Sequence, residues 1–105
     1  MLSFPNRLPK NEIPQVLRRG MHVRNDTIEL VYRKSSGTPR FSFIVSTKID
    51  KRATVRNRMR RTMSESVRHL LPNTPPIDGI FIAKKNFSDL LQTEVEPLIS
   101  SLLSV

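Results

Sequence analysis

Apolar and polar positions along the chain change period several times, and each change marks an element. Between Pro9 and Gly20, Ile13, Val16 and Leu17 recur at helical spacing, and Gly20 follows as a cap. Pro14 fits the first turn of such a helix, where its missing amide has no intrahelical partner. The β-branched and aromatic runs "TIELVY" (Thr27 to Tyr32) and "RFSFIV" (Arg40 to Val45) predict two strands. The turn-forming "KSSGTP" between them predicts an antiparallel hairpin. His22 to Asn25 reads as a further short strand ahead of the pair.

From Arg52 to Leu71 the period becomes helical: Val55, Met59, Met63, Ser66, Val67 and Leu70 share one face. Pro72 and the "NTPP" that follows end this helix, and "GIFIA" (Gly79 to Ala83) predicts a buried strand. A last helix is expected over Thr93 to Leu103, with Thr93 and Glu96 as a capping box and Pro97 near its first turn. There are no internal repeats and no low-complexity segment. The pattern predicts one α+β domain over residues 1–105, a two-layer sandwich of helices on a small sheet in the order α-β-β-β-α-β-α.

Charge changes the picture from fold to partner. All eighteen Lys and Arg lie in the first 85 residues, with six of the nine acids, so that part carries +12 against +9 for the whole chain. The acidic last helix is expected to face away from whatever the basic part binds. Charge of this density points to a polyanion, with nucleic acid ahead of a membrane surface. The absence of Cys excludes disulfides, thiolate metal sites and Cys nucleophiles, and His22 and His69 read as solvated surface residues. No apolar run approaches the roughly 20 residues of a membrane span, and "MLSFPNRLPK" lacks the apolar core of a signal peptide. The expected location is cytoplasmic.

The stretch "KRATVRNRMRR", Lys51 to Arg61, holds six basic residues in eleven and no acid. On a helical wheel Arg52, Arg56 and Arg60 flank the apolar stripe, while Arg58 and Arg61 lie on the far side. Guanidinium forks match phosphate oxygens, and Asn57 adds a neutral donor and acceptor for a ribose hydroxyl or a base edge. Intrahelical ion pairs do not explain the run, because Glu65 is the only acid in the helix.

"FIVSTKIDKRATVRNRMRRTMSESVR" resembles the signature of the bacterial ribonuclease P protein subunit: an Arg-Asn-Arg opening a long helix, after a strand and a Ser-x-Lys loop. "NRLPKNEIPQVLRRG" is similar to that family's first helix, and "GIFIAKKN" to its last strand and basic turn. The resemblance implies a left-handed β-α-β crossover around the basic helix. It also implies an accessory protein that binds a catalytic RNA subunit and the 5′ leader of precursor tRNA. The RNA subunit, holding Mg²⁺, would perform the endonucleolytic cut. On this resemblance Lys48, Lys51, Arg52, Arg56, Asn57, Arg58, Arg60 and Arg61 would face the RNA subunit. Ile13, Leu17, Val31, Ser46 and Lys84 would line the leader cleft, with Ile13 and Leu17 equally fit for core packing. The chain departs from the family at Ile13 and Leu17, where Phe is usual, and at Thr47, where a second Lys is usual. It therefore lacks two rings on which leader bases could stack.

Three other readings compete. A small ribosomal protein would be equally basic and compact, but would bind rRNA without a role in precursor tRNA cleavage. A protein-only nuclease would need clustered carboxylates for Mg²⁺, and Asp50, Glu65, Asp78 and Asp89 are scattered in the sequence. A DNA-binding module would need a zipper or a helix-turn-helix partner for its basic helix.

Overall fold

A computed structural model of the chain describes Leu2 and residues 4–104. Helix α1 spans Ile13–Arg19, strands β1, β2 and β3 span Met21–Arg24, Ile28–Lys34 and Arg40–Ile44, helix α2 spans Ala53–Leu70, strand β4 spans Ile77–Ala83, and helix α3 spans Gln92–Leu103. The α+β class and the order α-β-β-β-α-β-α agree with the periodicity.

The expected hairpin does not form. The sheet order is β1-β2-β4-β3, so β4 separates the two strands that "KSSGTP" joins. β4 runs antiparallel to β2, with Leu30 opposite Phe81, and parallel to β3, with Phe43 opposite Phe81. Burial explains the insertion: six of the seven β4 residues are buried, and such a strand must lie centrally. The five residues between β2 and β3, Ser35 to Pro39, also lack the left-handed backbone that two-residue hairpin turns require. Gly79 adapts β4 to the centre. A Cβ there would come within 2.9 Å of Phe41 Cε1 and 3.0 Å of Leu30 Cδ1.

Helices cover both faces of the mixed sheet, so the two layers expected become three, because β2 and β4 are apolar on both sides. α2 and α3 pack over Ile28, Leu30, Tyr32, Phe41, Ile77 and Phe81, into which α2 sets Val55, Met59, Met63 and Val67. Each such side chain removed from water contributes about 1.5 to 3 kcal/mol. α1 lies on the other face, where Val16 packs with Leu8, Val31 and Ile80. Gly20, expected as a cap of α1, has extended backbone and is needed for close approach, since a Cβ would lie 2.5 Å from Val16 O and 2.8 Å from Val31 Cγ1.

The start of α3 also differs from expectation. Glu94, not Glu96, closes the N-terminus: its Oε1 accepts the Leu91 N–H at 2.9 Å. The helix therefore begins at Gln92, and Pro97 falls in its second turn, where the Thr93 carbonyl loses its intrahelical donor. Thr93 and Pro97 are both exposed, so water can reach that carbonyl. Glu96 instead meets His69 Nδ1 of α2 at 3.1 Å.

An ion network on the α1 face ties four segments together. Asp78 of β4 accepts from Arg40 Nε at 2.9 Å and from Arg33 Nε at 3.0 Å. Glu12, just ahead of α1, accepts from Arg33 Nη2 at 2.8 Å and Arg40 Nη2 at 2.9 Å. These bonds pin the entry of α1 to β2, β3 and β4.

Candidate nucleic-acid interface

Cations at a helix N-terminus oppose the macrodipole, yet the N-terminal half of α2 is where this chain gathers them, with no acid in the first turn. Local stability does not favour that placement. A carboxylate outside the helix makes it tenable. Asp50 accepts the Arg52 backbone N–H at 2.8 Å, and Arg52 Nε and Nη2 at 3.1 and 2.9 Å. Asn86 Nδ2 donates to it at 2.9 Å. The Arg52 side chain first, then its backbone N–H, hold the Asp50 carboxyl down at about 2. The Asp50–Asn86 bond joins the loop carrying Lys48 and Lys51 to the turn carrying Lys84 and Lys85.

The eight predicted RNA-facing residues divide by what their side chains already do. Arg56 donates through Nη1 to the carbonyls of Asp50 and Lys51, at 3.0 and 2.8 Å, and so helps to shape the loop before α2. Asn57 Oδ1 accepts from Arg60 Nη2, which leaves the Asn57 amide hydrogens directed elsewhere. Arg52 is engaged by Asp50 but stays 71% exposed. Lys48, Lys51, Arg58 and Arg61 are exposed and have no side-chain partner among the described residues. Four unpaired cations thus surround a loop and helix start that Asp50 and Arg56 hold in shape.

The predicted leader residues do not form one surface. Val31 is fully buried beneath Val16, so it belongs to the core. The reason is strand pairing: β1 and β4 flank β2, and Val31 faces α1. Ile13 is half-buried against the same cluster, while Leu17 is 37% exposed. Ser46 and Lys84 are exposed at one end of the sheet, two residues beyond the paired Ile44 and Ile82. Lys84 Nζ lies 3.6 Å from Glu29 Oε1, and His22 Nδ1 lies 3.0 Å from Glu29 Oε2. The His22 hydrogen bond is the main reason that the Glu29 carboxyl is held below its ordinary range.

The acids do not suit a metal. Among the described residues no group of three or more His, Cys, Asp or Glu could hold an ion. Asp50 and Asp78 are occupied by guanidiniums, and Glu65 Oε2 accepts from Arg68 Nη2 at 2.7 Å. No described helix is long and apolar enough to cross a membrane.

Sequence reasoning missed Asp50 and Asn86 as organisers of the loop. The spacing Asp50-x-Arg52 ahead of a helix was the available signal, since an Asp commonly bonds the backbone two residues on. Asn86 carried no such signal.

This basic helix, held between a strand-loop and a β4 turn, has known counterparts. The sequence profile of the family described as Ribonuclease P matches residues 5–104. The chain belongs to the ribonuclease P protein family. A ribonuclease P protein component from Exiguobacterium sp. is 43% identical over 91 residues, covering 85% of this chain and 79% of the relative. The ribonuclease P protein of Staphylococcus aureus has the same fold, with TM-score 0.82 at 20% identity over 94% of this chain and 93% of that one. That of Thermotoga maritima also matches with TM-score 0.82, at 23% identity over 92% and 94%.

Proposed function

We propose that the chain is the protein subunit of a ribonuclease P, working in the cytoplasm on an RNA subunit and precursor tRNA. Lys48, Lys51, Arg58 and Arg61 would meet phosphates of the RNA subunit, with Arg52, Asn57 and Arg60 beside them and Arg56 supporting the loop. Ser46, Lys84 and Leu17 are the exposed candidates for the 5′ leader. The carrying observation is the set of unpaired cations at the positive end of α2, which folding alone does not favour. Mg²⁺ would be held by RNA phosphates, because among the described residues no three His, Cys, Asp or Glu gather to hold an ion, and Glu12, Asp50, Glu65 and Asp78 are engaged by Arg. The protein's part is then electrostatic and positional: it lowers repulsion between two RNAs and fixes the leader.

Reconstitution tests this reading. The chain is expected to activate ribonuclease P RNA and to lower the Mg²⁺ that cleavage needs. Protein without RNA is expected to leave precursor tRNA uncut at every Mg²⁺ concentration. Cleavage by the RNA-free protein, or no effect on the RNA, would reject it.

The exposure of Leu17 gives a second expected result. Leu17→Phe restores a stacking surface without disturbing the core, and a stacked base contributes roughly 1 to 3 kcal/mol. Binding of precursor tRNA to the reconstituted enzyme should tighten relative to mature tRNA, which has no leader. Equal effects on both substrates in equilibrium binding would remove Leu17 from the leader path.

A further inference from the structure

The outer edge of β3 opens into a groove of about 850 Å³, within the range of roughly 300–1,000 Å³ that ligand pockets occupy. Leu8 N–H closes the start of that edge on Phe41 O at 2.9 Å; beyond it, Ser42 and Phe43 line the groove. Leu2, Leu8, Phe41 and Phe43 supply its apolar floor. The opposite wall is one face of α2: Asn57, Arg60, Arg61 and Ser64, spaced by three and four residues.

Two features narrow the occupant. The groove's charged lining is Arg7, Lys10, Arg60 and Arg61, with no acid. Lys10 and Arg61 have no side-chain partner among the described residues, so their charge is available to an anion. The floor ends in an aromatic ladder: Phe81 lies 5.6 Å from Phe41 and 5.8 Å from Phe43, the second pair nearly parallel at 9°. Phe43 is only partly buried. A cationic rim over an apolar floor calls for an anion with an apolar part, and a flat ring that ends a stack favours a planar base over a lipid chain or an acidic peptide.

We infer that this groove receives an unpaired nucleotide of the RNA subunit, its base stacked on Phe43 and its phosphate held by Lys10 and Arg61. Asn57, on the α2 wall of the groove, would meet the base edge or the ribose hydroxyl. The inference rests on the proposed function, because the groove shares Asn57, Arg60 and Arg61 with the surface assigned there to the RNA subunit. Leu17, the exposed leader candidate on α1, lies on the other face of the sheet, which separates this groove from the leader.

The chain contains no Trp, so Phe43→Trp introduces a single indole reporter at the floor. Addition of ribonuclease P RNA should quench its emission and shield it from acrylamide, whereas a Leu17→Trp reporter should not respond to that RNA alone. Phe43→Leu, with circular dichroism as the check on folding, should weaken RNA-subunit binding by about 5-fold or more and leave the salt slope unchanged, since stacking releases no counterions. Arg61→Ala should lower that slope. Undiminished affinity of a folded Phe43→Leu, or an indole that RNA at saturation leaves unquenched, would overturn the inference while leaving the proposed function intact. Quenching by precursor tRNA without the RNA subunit would overturn it in favour of the leader. Failure of the wild-type chain to bind ribonuclease P RNA would defeat the proposed function itself, and this inference with it.

Discussion

Asp78→Ala is expected to destabilise the fold by about 3 kcal/mol, the lower end of the cost of breaking a buried charge pair. The Asp78 side chain is 4% exposed, while Arg33 and Arg40 keep 31% and 29%, so water partly screens the two guanidiniums left behind. Glu12 still holds both, but from the turn ahead of α1, and the β2–β4–β3 junction loses its anion. Acid should expose the same network. Burial raises the Asp78 pKa, but the Arg40 and Arg33 hydrogen bonds outweigh it and leave the carboxyl below its ordinary value. A depressed folded pKa contributes stability that is present above the unfolded value, near 4, and is lost as pH falls through the folded one. Urea unfolding at pH 7 and in acid should therefore show a smaller loss for Asp78→Asn than for the native chain. Equal acid losses would mean that Asp78 is not a linked group.

Removing the four unpaired cations together, by Ala at Lys48, Lys51, Arg58 and Arg61, should weaken binding to ribonuclease P RNA on the order of 100-fold at low salt. The log-log salt slope should fall by about 3, at roughly 0.7 to 0.9 per phosphate contact. Thermal stability should hold, since none of the four side chains bonds to the described protein. Arg56→Ala should behave differently. It removes the two bonds to the Asp50 and Lys51 carbonyls, so it should lower the melting temperature as well as the affinity. An unchanged slope in the fourfold variant, measured by filter binding across a salt series, would place the RNA on another face.

What the sequence determined by itself were the features set by near neighbours. The 3.6 period of α2 placed Val55, Met59, Met63 and Val67 inside, and that face is buried as the spacing requires. The same helix turn put Arg58 and Arg61 outside, and a helix with one acid cannot neutralise them, so the basic surface was legible as charge. Tertiary structure decided whatever depends on which strand lies beside which. "KSSGTP" joins β2 and β3 in sequence, yet β4, arriving more than thirty residues later, takes the place between them because its six buried residues can be covered only at the centre. That insertion buries Val31, brings Asp78 onto Arg33 and Arg40, and leaves β3 as an edge with a groove beside α2. Asp50, a lone acid in the sequence, becomes the anchor of the basic loop only when β4 returns Asn86 to it. Period and charge are local properties of a chain; strand neighbours are chosen by burial competing across the whole of it.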